Sequence, residues 1–401
     1  MTGQALGSLK VLELCSLISG PYCSKLLGDM GAEVIKIEEP GMGDKARKRG
    51  PFLQNTSHRE KSGLFLYLNT NKLGITLNIN TEEGAGVFKE LVKETDILIE
   101  DNPPKMMKEL GLDYDNLKEI NPSLIMTSIT PFGQNGPHSD YKAHDLNMYF
   151  GSGLLYKPLD VPDDYKPAKG GGFFGDYLCG LSAATATLSA QFALGGTGEG
   201  QHIDISKQEA LLALLRVTSV VYPNVGRPEF SMSSISGGMG GLHQCKDGYV
   251  IFTNAEEHHW SSFVKLLGDP EWANDPDLDN MFSRALNYEK IAPYIKEWML
   301  NHNKEEIYHQ GQAYGCPVAM VSAVDEVANS EQMKAREFFV DIDRKETGRF
   351  KYPQSPCRFS KTPWKARLPA PLLGEYNEEI FCKRLGYSQN RIKEMAEAGV
   401  I

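Results

Sequence analysis

Apolar and polar positions alternate along the first 130 residues in a way that predicts short strands separated by helices. Leu9–Leu14 reads as a strand, Gly20–Met30 as a helix, and Glu33–Glu38 as a second strand. Gly74–Ile79 is a third strand, and the helix Thr81–Lys93 follows, with a Glu-rich first turn. Asp96–Glu100 and Leu124–Ile129 supply further strands. Strands that alternate with helices imply βαβ units and a largely parallel sheet. The pattern then changes. Leu178–Leu194 is a long apolar stretch interrupted by Ser, Thr and Gln, which reads as a buried helix and is too short to span a bilayer comfortably. An alternating strand, Gln201–Ser206, comes next.

Beyond an irregular stretch at 216–236, a second α/β segment begins at Gly248–Asn254. Helical patterns at Ser261–Leu267, Tyr288–Asn301 and Lys304–Ala313 lead to a strand at Pro317–Val321. Phe338–Tyr352 reads as a hairpin and Ser388–Ala398 as a final helix. The expected organisation is a large Rossmann-like domain over 1–224, a smaller α/β domain over 225–330, and a C-terminal segment over 331–401.

Composition narrows the function. The chain has 401 residues, is 41% hydrophobic and carries a net charge of −10. It can bury an ordinary core, and it offers no basic footprint for nucleic acid or an anionic membrane. Seven cysteines without a C-x-x-C pair suit reduced thiols in a cytosol better than a disulfide framework. No signal peptide is visible, so the expected location is cytoplasmic. The turn after the first strand, Cys15–Pro21, lacks G-x-G-x-x-G, and Walker loops, H-E-x-x-H and metal-type Cys/His spacings are missing too. The glycines between Gly195 and Gly200 follow a helix and precede a strand, which makes them a helix stop.

The chemistry-bearing candidates are few. Asp176 follows Gly170-Gly171-Gly172-Phe173-Phe174-Gly175 at the start of the apolar helix. A cap is the plainer reading of such an aspartate. The same helix terminus also favours an ionised carboxylate, which can attack an acyl carbon. A second glycine cluster, Gly237–Gly241, suits either an interdomain hinge or a lid whose N–H groups face an oxyanion. His144, beside Asp145, is a possible acid–base residue, and Glu257 is either a helix N-terminal acid or a functional one.

Taken in order, several stretches resemble the class III (CaiB/BaiF-type) coenzyme A transferases, with the α-methylacyl-CoA racemases as relatives. They are Val11–Leu14, Ser19-Gly20-Pro21, Leu27–Glu38, Asn69–Lys72, Gly111–Tyr114, Asn121-Pro122, Phe132–Pro137, Gly198–Ser206, Cys245–Tyr249 and Ala370–Glu375. The resemblance covers essentially the whole chain. It implies a Rossmann-like large domain completed by the C-terminal segment, a smaller domain, and an interlocked dimer. It also implies that Asp176 attacks a donor acyl-CoA, giving an anhydride and then an aspartyl-CoA thioester, and that the loop containing Gly238, Gly240 and Gly241 covers it. Coenzyme A and acyl-CoA enter as substrates, with no tightly bound cofactor and no metal.

The same resemblance places Ile18, Leu77 and Lys142 along the CoA channel. Arg47 is a phosphate partner by charge, and Lys72 is a possible replacement for missing basic groups. Relatives often carry arginine where Glu39, Pro103 and Glu109 stand here, and Asp101 replaces a common asparagine. Two other readings accompany the transferase. One is a racemase using His144 and Asp176 on opposite sides of an α-carbon. The other is a non-catalytic subunit of a hetero-oligomeric transferase. Partners under the main reading are an acyl-CoA and a carboxylic acid, in a homodimer or a hetero-oligomer with a related chain.

Overall fold

The computed structural model describes residues 3–154, 170–215, 222–224, 226, 240–253 and 256–401. The chain divides into two compact units. The first holds the described residues within Met1–Tyr156, Ala168–Leu215 and Lys334–Ile401, and the second those within Lys157–Pro167 and Arg216–Met333.

In the first unit six strands form one parallel sheet in the order β3-β2-β1-β4-β5-β6. They are β1 (Lys10–Leu14), β2 (Glu33–Glu38), β3 (Lys72–Thr76), β4 (Ile97–Glu100), β5 (Ile125–Thr130) and β6 (His202–Ser206). Buried on both faces, β4 and β5 are nearly continuous Ile, Leu, Met and Thr, as central parallel strands are. The order reverses between β1 and β4, and crevices at such a switch point are where open α/β sheets bind ligands.

Its helices before residue 215 include α1 (Ser19–Asp29), α2 (Gly63–Leu68), α3 (Glu82–Val92), α4 (Pro104–Glu109), α5 (Tyr114–Leu117), α6 (Asp145–Gly151), α7 (Phe174–Thr197) and α8 (Lys207–Leu212). Thr81 caps α3 by accepting from Gly84 N–H. The expected helix stop is at Gly198, which closes α7 in the left-handed region with φ 73°. One sequence expectation needs correction. The long apolar helix is buried along one stripe only. Cys179, Ala183, Ala184, Thr187 and Ala190 face the core, while Leu181 (50% exposed), Leu188 and Phe192 (89%) face outward. By length and composition α7 could cross a bilayer. Its small-residue stripe, however, lies in the cluster with Val11, Ile97 and Ile99 of the sheet.

The C-terminal residues complete this unit at the β3 edge. Asn71 donates to Asp29 Oδ1 and accepts the N–H groups of Arg367 and Leu368, and Gly74 lies so close to Pro371 that a Cβ would sit 2.7 Å from the ring. The hairpin β10 (Phe339–Arg344) and β11 (Gly348–Pro353) also belongs here. The second unit has its own core around a three-stranded antiparallel sheet, β7 (Gly241–Cys245), β8 (Gly248–Phe252) and β9 (Val318–Met320). Val250, Phe252, Trp260, Phe263, Ile291, Ile295, Met299 and Ile307 fill it.

Candidate active site

The turn from β1 to α1 sets the geometry. A dinucleotide-type turn would leave its amides free for phosphate. Here carboxylates take them. Ser16 N–H donates to Asp101 at 3.1 Å, Leu17 N–H donates to Asp44 Oδ1 at 2.9 Å, and Leu17 is held in the left-handed region at φ 71°. The turn delivers Ser19, 1% exposed, into the first turn of α1.

Two glycines bring the helices together. A Cβ on Gly180 would lie 2.6 Å from the Ser19 carbonyl oxygen, so its absence lets α7 press against α1. A Cβ on Gly175 would lie 2.6 Å from Asp145 Oδ1, so that glycine admits the Asp145 carboxylate to the start of α7. Tyr177 then packs edge-on against Tyr22 at 4.9 Å.

Asp176 sits in the first turn of α7, 7% exposed. It is not the helix cap that its position in the sequence suggests. The N-cap is Phe173, without a side-chain cap bond, and the Asp176 carboxylate turns to other elements. Its Oδ1 accepts Ser19 Oγ–H at 2.7 Å and the Lys207 ammonium at 2.8 Å. Its own N–H donates to Asp145 Oδ1 at 3.0 Å. Among the described residues Oδ2 accepts no hydrogen bond. Burial pushes the Lys207 ammonium down, but the Asp176 charge and hydrogen bond, followed by Asp101, outweigh it and hold the group above its ordinary value.

A cleft of 290 Å³ opens at the C-terminal ends of β1 to β4, lined among others by Ser16, Glu39, Lys45, Lys48, Leu77 and Asp101. Burial, reinforced by Glu100 and Asp44 against Lys207 and the Ser16 amide, raises Asp101 to about 7. Glu100 beneath it is raised to about 7 by burial as well, despite the hydroxyl of Ser128 and the Asn102 amide.

A model of CoA-transferase family III matches residues 6–377. The chain belongs to that family. A formyl-CoA:oxalate CoA-transferase of Streptomyces coelicolor is 29% identical over 419 residues, with 100% of each chain covered. A succinyl-CoA–D-citramalate CoA-transferase of Chloroflexus aurantiacus is 30% identical, covering 99% of this chain and 98% of that one. A solved CaiB/BaiF family protein from Brucella suis superposes with a TM-score of 0.83 at 29% identity, covering 95% of this chain and 99% of that one. This family III CoA-transferase is therefore an enzyme acting on CoA thioesters and carboxylic acids.

The residues expected from the sequence fall unevenly around the cleft and Asp176. Leu77 and Asp101 line the cleft. Ile18 is buried beneath the turn, in the cluster with Phe65 and Leu68. Lys142 is exposed before α6. His144 is exposed too, and its N–H donates to Asn147 Oδ1; the neighbour that reaches Asp176 is Asp145. Gly238 lies outside the described residues, whereas Gly240 precedes and Gly241 opens β7 in the second unit.

Two basic candidates need correction. Arg47 is fully buried, with its guanidinium shared among Glu38, Glu60 and the Pro371 carbonyl, so it offers no hand to a phosphate. Lys72 is likewise buried, spent on Glu13, Asn69 and the Pro21 carbonyl. Charge alone does not distinguish a solvent-facing cation from one neutralised in the core. In the second unit, Glu257 accepts from Arg284 and from Met281 N–H, which commits it to a structural ion pair.

Sequence reasoning missed Ser19 and Lys207 as partners of Asp176, and Lys45 and Lys48 at the cleft. The only local signal for the lysines was the basic run Lys45-Ala46-Arg47-Lys48.

Proposed function

We propose that this enzyme moves coenzyme A from a donor acyl-CoA to an acceptor carboxylate through covalent intermediates on Asp176. The observation that carries the reading is the Asp176 carboxylate itself. It sits in the first turn of a 24-residue helix, with one oxygen fixed by Ser19 and Lys207 and the other without a hydrogen bond among the described residues. An ionised carboxylate is the nucleophilic form, and the Lys207 ammonium at 2.8 Å places positive charge beside this one.

The carboxylate attacks the thioester carbonyl, the C–S bond breaks, and the CoA thiolate leaves an aspartyl anhydride. The thiolate attacks Asp176 Cγ, releases the donor acid and gives an aspartyl-CoA thioester. The acceptor carboxylate attacks this thioester, the thiolate leaves, and its return to the acceptor acyl carbon yields the new acyl-CoA and free Asp176. One negative charge is carried through every step. No ATP is needed, because thioester energy passes from acid to acid.

Lys45 and Lys48, both exposed at the rim of the 290 Å³ cleft, meet the nucleotide phosphates in place of Arg47. The outward apolar stripe of α7, with Leu181, Leu188 and Phe192, is covered by a second copy of the chain in a homodimer. The reaction runs in the cytoplasm, in keeping with seven free cysteines.

The test combines substrate and site. The protein is screened with succinyl-CoA and formyl-CoA against oxalate, glutarate, citramalate and a wider panel of acids. It is also incubated with the active donor and hydroxylamine, and its peptides are mapped. Hydroxamate at Asp176, lost in Asp176→Asn, supports the reading. Transfer that proceeds with Asp176 unmodified, or α-hydrogen exchange without any acceptor, sinks it.

A further inference from the structure

Two of the four displacements just described take place at Cγ of Asp176, and each needs a place for negative charge on the oxygen that stays behind. That oxygen is identified by the hydrogen bonds. Oδ1 is held by Ser19 Oγ at 2.7 Å and Lys207 Nζ at 2.8 Å, while Oδ2 is left to attack. Once Oδ2 has become the bridging oxygen of the anhydride, Oδ1 is the carbonyl oxygen of Asp176. Thiolate addition to Cγ turns Oδ1 into an oxyanion. Collapse then expels the donor carboxylate with Oδ2. In the second half the acceptor carboxylate adds to Cγ of the thioester, Oδ1 again takes the charge, and collapse expels the thiolate.

We infer that Ser19 and Lys207 form the oxyanion site for both tetrahedral intermediates at Asp176 Cγ. The inference rests on the reading of Asp176 as nucleophile. Its physical basis is differential binding: the two donors meet a nearly neutral carbonyl in the anhydride and thioester, but a full charge in the intermediates. Both are in place beforehand. Ser19 is buried at the start of α1, with Gly180 permitting the approach, and Lys207 is the first residue of α8 behind the Ser206 cap. In the free enzyme the Asp176 charge, with Asp101 behind it, outweighs burial and holds the Lys207 ammonium above its ordinary value, so the group enters the reaction as a donor. The attacks on the substrate acyl carbons leave the developing charge on a substrate oxygen away from this pair, which there only holds Oδ1 of the attacking or departing carboxylate in place.

That division supplies the experiment. Labelled free CoA exchanges into the donor thioester through the first displacement and its reversal alone. Labelled free donor acid enters the thioester only through chemistry at Cγ. Both exchanges are measured in the full-length protein and in Ser19→Ala, Lys207→Met and Lys207→Arg. Removing one oxyanion donor costs on the order of 10²–10³-fold. Acid exchange is expected to fall by that factor in Ser19→Ala and Lys207→Met, with CoA exchange retained within about tenfold, and Lys207→Arg is expected to recover much of the loss. Retained CoA exchange also shows that the variants fold and bind. Acid exchange at the wild-type rate, or equal loss of both exchanges, overturns the inference. Absence of both exchanges from the wild type instead overturns the covalent reading of Asp176.

Discussion

Asp145 holds Asp176 by its backbone: the Asp176 N–H donates to Asp145 Oδ1 at 3.0 Å, inside a gap that Gly175 leaves open. The contact ties the start of α6 to the first turn of α7 and fixes where the Asp176 side chain leaves the helix. A hydrogen bond to a charged group contributes about 1.5–3 kcal/mol. Asp145→Ala should lower unfolding free energy by about that amount and reduce kcat more than it raises KM, since nothing that binds the nucleotide is touched. Asp145→Asn keeps an acceptor oxygen and should recover most of the stability. Denaturant titration beside steady-state kinetics checks both, and an unchanged kcat in Asp145→Ala would show that the contact does not position Asp176.

Gly180 is the second positioning element. A methyl at this site meets the Ser19 carbonyl oxygen at 2.6 Å, and backbone cannot give way as a flexible side chain can. Gly180→Ala should therefore cost about 1–3 kcal/mol of stability through overpacking. It should also cut acid exchange more than CoA exchange, because pushing α7 from α1 withdraws Ser19 from Asp176. A silent substitution in both measurements would mean that the two helices separate freely, contrary to the close contact.

How far the sequence led is visible in particular residues. β2 at Glu33–Glu38 and the helix Tyr288–Asn301 have the predicted bounds, because each carries its pattern over a full element. The helices α2 and α6 escaped prediction: at six and seven residues they are too short to show a period. The third strand begins at Lys72 where Gly74 was expected, since a buried lysine paired to Glu13 looks like a polar turn residue. Asp176 was legible from its glycines and its family motif. Ser19 was not legible as its partner, being 157 residues away, and Lys207 entered no pattern because nothing local marks a lysine as paired across a fold.

Protonation of the cleft acids gives a pH signature. Burial raises Asp101 from its ordinary 3.8 to about 7. Between those values the folded protein holds a proton that the unfolded chain has released. Stability from this group is therefore full below 3.8 and is lost as the pH climbs to about 7, above which it changes no further. Glu100, also raised to about 7, adds to the same slope from its own ordinary value of 4.5. The cleft gains negative charge over the same range, so KM for an acyl-CoA should rise as the pH passes through neutrality. Asp101→Asn should flatten both trends, with melting and KM measured at several pH values. A wild-type KM that falls across this interval would contradict the assignment of the cleft to the anionic nucleotide.

The corrected role of Arg47 makes the last prediction, because it separates two kinds of basic residue four positions apart or less. Arg47 is enclosed by Glu38 and Glu60, with Arg344 on the same Glu60 oxygen. Removing one partner of such a buried cluster leaves uncompensated charge and costs about 3–5 kcal/mol. Lys48 is exposed at the cleft and bears no comparable load. Arg47→Met should thus lower the unfolding midpoint sharply, while the fraction that stays folded keeps a near-normal KM for acyl-CoA. Lys48→Ala should leave stability within about 0.5 kcal/mol and raise that KM several-fold, with a weaker dependence on ionic strength, since a surface cation acts through a screened field. Pairing melting curves with KM at low and high salt distinguishes the two. If Arg47→Met raises KM at unchanged stability, the buried cluster is not the role of that residue. If Lys48→Ala leaves KM and its salt dependence alone, the phosphates are met elsewhere.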